Sequence, residues 1–239
     1  MNWKTIRAIY LKELASFFYS PMAYVVVTLF LLILGWFFTA TLFINGGEAS
    51  MRPAFNYIPI IFLIFVPAIT MRTIAEEKKS GTFELLVTLP VEDSEIVAGK
   101  FLASLSLIGS AVIMTLIYLL TLISMGNVDG GEVLGGYVGL ILMGSAYVSL
   151  GVLASSLTES QIVAFIVAFV FSFFFFIIDK VLMFMPISLA PFFEYLSLDY
   201  HFANIARGVL DTRDIIFYLS LSFISLYLAT QILENRKTA

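Results

Sequence analysis

The 239-residue chain is 60% hydrophobic and 13% charged, with a mean hydropathy of +1.00 and a formal net charge of −4. Soluble domains average about 45–50% apolar and about 25% charged residues, and a globule of this size lacks the interior to hide such an excess. Composition therefore excludes a soluble enzyme, a disordered segment and a nucleic-acid-binding domain with its basic footprint. The absence of cysteine excludes a disulfide framework and thiolate ligands, and a single histidine, His201, leaves little room for a zinc or di-iron centre.

Residues 1–20 come first. Trp3, Ile6, Tyr10, Leu14 and Phe17 recur at helical spacing, opposite Lys4, Thr5, Arg7 and Lys12. This predicts an amphipathic helix lying on the membrane surface, ended by Pro21; a frayed basic tail is the alternative. Basic residues ahead of an apolar run also open signal peptides. Here the run is too long for one, and no small-residue cleavage site follows, so the first span is retained.

A bilayer core about 30 Å thick needs about 20 apolar residues per helix. Six runs meet that need, at 22–44, 57–75, 101–125, 134–157, 162–178 and 215–233. The fourth and fifth are joined only by residues 158–161, which makes them a tight helical hairpin. Pro59 and Pro67 free backbone carbonyls in the second run, as a hinge or as local shape. Gly135 and Gly139, then Gly151 and Ser155, are small residues four apart. Such pairs allow close helix approach, at a dimer or gating interface or in ordinary packing within the bundle.

Six spans put both termini on one side, and basic residues decide which. Lys4, Arg7, Lys12, Arg72, Lys78, Lys79, Lys100, Arg236 and Lys237 share the terminal side, nine in all. Only four, Arg52, Lys180, Arg207 and Arg213, lie opposite. Both termini are accordingly expected in the cytoplasm. No Asp, Glu, Lys, Arg or His lies in the interior of any of the runs, which argues against a proton- or ion-coupled carrier and against intramembrane proteolysis. Energy for any work would enter from outside the bilayer.

The densest charge lies between the second and third runs, in the connection 76–100. Gly81 breaks the preceding helix, Thr82 can cap a short new one with Glu84 in its first turn, and Pro90 stops it. Phe83, Leu85, Leu86 and Leu89 give that helix an apolar side, to dock on a soluble partner or to pack on its own bundle. Glu92, Asp93, Ser94 and Glu95 then start the third spanning helix. The opposite connection, 179–214, is broken by Pro186 and Pro191 and is expected to form short helices on the outer leaflet. His201, near Asp199, reads there as a surface histidine, alongside Arg207 and Asp211 as external surface residues.

Glu76, Glu77, Lys78, Lys79, Gly81, Thr82, Glu84, Leu85, Leu86, Pro90, Ile96, Gly99 and Lys100 together resemble the cytoplasmic loop of type-2 ABC-transporter permeases. Lys12-Glu13-Leu14, Phe17-Phe18 and Ser20-Pro21 resemble the N-terminal helix of that family. His201-Phe202, Arg207-Gly208-Val209, Asp211 and Asp214 are most similar to its gliding-motility-associated branch, with nitrous-oxide-reductase maturation permeases as relatives.

The resemblance implies an all-α membrane protein of six spans with an interfacial N-terminal helix, a short coupling helix and short external helices. It implies the permease subunit of an ABC transporter in the bacterial cytoplasmic (inner) membrane. The chain would not be an enzyme itself, and would pair with a second permease copy, identical or related. A cytoplasmic ATP-binding subunit would dock through Glu76, Glu77, Gly81, Thr82, Phe83, Glu84, Leu85 and Leu86. No cofactor is expected on this chain, which has no G-x-x-x-x-G-K-[ST] phosphate cradle; ATP and Mg belong to the partner ATPase. Other expected partners are the lipid bilayer and an external auxiliary protein, with no nucleic acid. The alternative is a scaffolding or mechanotransmitting subunit that passes ATP-driven motion outward without moving a substrate. Uncharged spans suit a lipid, a glycan or a peptide alike.

Overall fold

A computed structural model describes residues 2–44, 50–83, 90–126, 128–184, 186 and 190–237. Among them all regular structure is helical. Helix α1 (Trp3–Tyr19) begins where the Asn2 side chain accepts from the Lys4 N–H at 3.1 Å. Ser20 separates it from α2 (Pro21–Thr39), accepting from the Met22 N–H at 3.3 Å, with Pro21 in the first turn where its missing N–H costs nothing. A π-helical turn, Ala40–Ile44, ends this span.

Helix α3 (Arg52–Thr70) carries Pro59 and Pro67 in its interior, and a turn at residues 71–74 leads to the short α4 (Ala75–Lys79). Helix α5 (Asp93–Met114) opens with a capping box between Glu92 and Glu95. It breaks at Thr115, whose hydroxyl donates to the Val112 carbonyl at 2.6 Å, and continues as α6 (Leu116–Met125). Asp129 caps α7 (Gly130–Ser156), accepting from the Gly131 N–H at 2.8 Å. Residues 157–160 turn the chain into α8 (Gln161–Val181). After a 3₁₀ turn, Leu182–Phe184, come α9 (Ala190–Leu196), α10 (Leu198–Ala206) and the long α11 (Thr212–Lys237).

Six helical stretches among the described residues are long and apolar enough to cross a membrane: Pro21–Leu42, Arg52–Lys79, Asp93–Met125, Gly130–Ser156, Gln161–Val181 and Thr212–Asn235. An even number of crossings leaves both ends of the chain on one face, here called the terminal face; the other is the distal face.

Helix α7 is the hub. Of its most apolar stretch 78% is buried, against 17% for α2 and 22% for α11, and α3, α5, α8, α10 and α11 all pack on it. Apolar side chains gain little by leaving lipid for protein, so helix association in a bilayer rests on close fit and polar links. Along α7 glycine supplies the fit. A Cβ at Gly136 would enter the Phe55 ring of α3, and one at Gly144 would sit 3.3 Å from Ile108 of α5. Polar links complete it: Tyr137 bonds Thr115 at 3.0 Å, and Ser145 lies 3.3 Å from Ser222.

Candidate functional site

The terminal face is organised around a lysine. Lys100, in the second turn of α5, is wholly buried, with Nζ 3.0 Å from Glu13 Oε1 of α1 and 2.8 Å from Glu77 Oε2 of α4. It also donates to the Thr73 carbonyl at 2.6 Å. An ammonium group offers three donors; this one donates to Glu13 and the Thr73 carbonyl and forms a close ion pair with Glu77. Lys12, exposed, adds a second cation 3.4 Å from Glu77 Oε1. The Asn2 N–H also bonds the Glu95 carboxylate, a second tie between α1 and α5. Between these ties lies Gly99, where a Cβ would come within 2.7 Å of Ile9. Helix α1 is therefore seated on α5 by apolar contact in the middle and by charge at both ends.

Two further devices fix the turn that leads out of α3. Ser155 of α7 accepts from the N–H groups of Ile74 and Ala75, both at 3.0 Å, and donates to the Met71 carbonyl at 3.1 Å. Arg72 grips Glu76 through Nε at 2.7 Å and a second nitrogen at 3.1 Å. Lys78 donates to the Ser156 carbonyl. The chain then reverses at Gly81, whose φ of +71° suits glycine, while Ser80 and Thr82 join hydroxyls at 2.8 Å.

The residues expected to meet a partner divide. Glu76 is occupied by Arg72. Glu77 directs its carboxylate to Lys12 and Lys100 of its own chain. Phe83 is 5% exposed and packs in the bundle's own core, one of the two roles open to its apolar side chain. Gly81 and Thr82 are exposed. Glu84, Leu85 and Leu86 lie outside the described residues.

The small-residue pairs serve the interior of the single chain. A Cβ at Gly135 would strike the Ile205 carbonyl, at Gly139 it would lie 3.0 Å from the Phe202 ring, and at Gly151 it would strike Thr70. Ser155 caps the turn described above.

On the distal face, Arg207 and Asp211 are exposed, as expected. His201 is not: only 1% of it is exposed. Its Nδ1 lies 2.6 Å from Asp214 Oδ1 and its Nε2 lies 2.9 Å from the Tyr195 carbonyl. Phe217 stacks on its ring at 4.1 Å. The expectation of a surface histidine is thus corrected. Its partner comes from the start of α11, and the ring pins α9, α10 and α11 together.

Beside it, Lys180 at the end of α8 reaches Asp179 at 2.9 Å and Asp199 at 3.0 Å. Burial raises the Asp199 carboxyl above its ordinary range, with Lys180 pulling it partly back. Arg52 holds the buried Glu132 at 3.0 Å, and Ser50 donates to the same carboxylate at 2.7 Å. No group of His, Asp or Glu that could hold a metal occurs among the described residues.

Lys100, Glu13, Glu132 and Asp214 escaped the sequence reading as site residues. Lys100, Glu132 and Asp214 sit at the edges of apolar runs, where a charge reads as a boundary marker, and Glu13 lies in the amphipathic N-terminal segment.

A bundle of six helices long and apolar enough to cross a membrane, with ion-paired nodes at both faces, is the architecture of a multi-pass membrane protein. Residues 7–229 match the family described as ABC-2 family transporter protein, and the chain belongs to it. It is an ABC transporter permease subunit. No curated protein matches the chain at significance.

Proposed function

We propose that this permease subunit couples ATP hydrolysis by a separate cytoplasmic ATP-binding subunit to export or translocation across a bacterial inner membrane. The terminal face is then cytoplasmic, in keeping with its nine basic residues against four. ATP and Mg belong to the partner, and two permease copies, identical or related, stand side by side in the bilayer.

The observation that carries this reading is the Lys100 node. It joins α1, α4 and α5 at the root of residues 80–92, the segment between the second and third spans. A push on that segment reaches a spanning helix through a buried ion pair and a capped turn, with little slack between. Family membership supplies the expected source of the push. Docking falls to the exposed Gly81 and Thr82 and to Glu84, Leu85 and Leu86. Glu76, Glu77 and Phe83 set its angle from behind.

The test is Glu84→Ala with Leu85→Ala in protein co-expressed with the ATP-binding subunit encoded beside it. Co-purification and permease-stimulated ATP hydrolysis should both be lost while the permease stays monodisperse in detergent. Unchanged co-purification and unchanged stimulation overturn the proposal.

A further inference from the structure

On the distal face, where α3 begins and α8 ends, lies a cleft of about 850 Å³. That volume is within the roughly 300–1,000 Å³ of ordinary ligand sites. Phe55, Pro59 and Phe202 give it an apolar floor, and its walls are charged.

The charges are incompletely matched. Arg52 is engaged by Glu132 on the far side of α3. Asp179 and Asp199 share the one ammonium of Lys180. Asp199 Oδ1 is buried with no hydrogen-bond donor, a costly state for a carboxylate oxygen. Glu194 and Arg207, also in the lining, have no ion pair among the described residues. The site therefore has one cation for two carboxylates, with no donor at Asp199 Oδ1, and no anion at Arg207. Its position adds a second constraint. The ends of two spans form its rim, which places it at head-group level, and Phe192 and Tyr195 of α9 are exposed alongside, as aromatic side chains at a membrane interface are.

We propose that this cleft binds the head group of a zwitterionic amphiphile, with a primary ammonium donating to Asp199 and a phosphate held by Arg207. The inference rests on the cleft's own charges and stands whether or not residues 80–92 dock an ATPase.

Full-length protein is reconstituted with equimolar phosphatidylethanolamine and phosphatidylglycerol of matched acyl chains, and retained lipid is counted by native mass spectrometry. Ethanolamine lipid should be retained over glycerol lipid by about tenfold, the worth of one charge-assisted hydrogen bond. Asp199→Asn should abolish that preference and Arg207→Gln should weaken retention, with neither lowering the melting temperature. O-phosphoethanolamine at millimolar concentration should displace the lipid, whereas glycerol phosphate should not. Equal retention of the two lipids, or an unchanged preference in Asp199→Asn, overturns the proposal. Binding of O-phosphoethanolamine by protein that retains no ethanolamine lipid also overturns it, since the occupant would then be a soluble zwitterion.

Discussion

Replacing Lys100 with methionine removes the cation while keeping the length of the side chain. Glu13 and Glu77, whose side chains are only 13% and 15% exposed, would be left without their buried cation. The Thr73 carbonyl would lose its donor. Lys12 cannot replace the lost charge, because it is 61% exposed and reaches Glu77 only at 3.4 Å. Removing one partner of a buried ion pair costs about 3–5 kcal/mol. For a chain of this length that corresponds to a fall of about 10 °C in melting temperature. The assay is thermal unfolding of purified protein in detergent, comparing Lys100→Met with a triple variant that adds Glu13→Gln and Glu77→Gln. Neutralising all three positions removes the stranded charges, so the triple variant should recover most of the loss. A fall under about 2 °C, or no recovery in the triple variant, would refute the reasoning.

Gly151→Ala should cost about 1–3 kcal/mol through its collision with Thr70, whereas Gly130→Ala, facing open space, should stay within about 0.5 kcal/mol; thermal unfolding reads both. His201→Phe keeps the stacking volume but strands the Asp214 carboxylate and the Tyr195 carbonyl. It should lower stability by about 3 kcal/mol and speed protease cleavage between α9 and α10. Because folding raises the Asp199 carboxyl, its proton is held more tightly in the folded protein. That contribution is complete below the ordinary carboxylate range and is lost as pH rises through the raised value. Asp199→Asn should therefore match the parent in acid and equal or exceed its stability at neutral pH, as measured by melting temperature across pH.

The spans were legible because a bilayer imposes a length and a polarity that no tertiary contact overrides. Thr115 was not legible as a break, since threonine at that place continues the apolar run. Nor was the seat of His201. Thirteen residues separate it from Asp214, and a histidine in a connection between spans reads as solvent-facing until its partner is brought over it. Phe83 was open both ways: an apolar residue on that short helix suits a partner or its own bundle, and its burial here comes from tertiary packing.

Helix α1 is made first, but the residues that seat it are made much later. Glu95, which receives the Asn2 N–H, is separated from it by 93 positions, and Lys100 lies 87 beyond Glu13. Throughout synthesis of the first two spans, this segment lacks the helix that seats it. It reaches its final place when the start of α5 leaves the ribosome. Assembly of the terminal face is thus timed by the third span, and a fusion that keeps residue 2 from its seat interferes at that step.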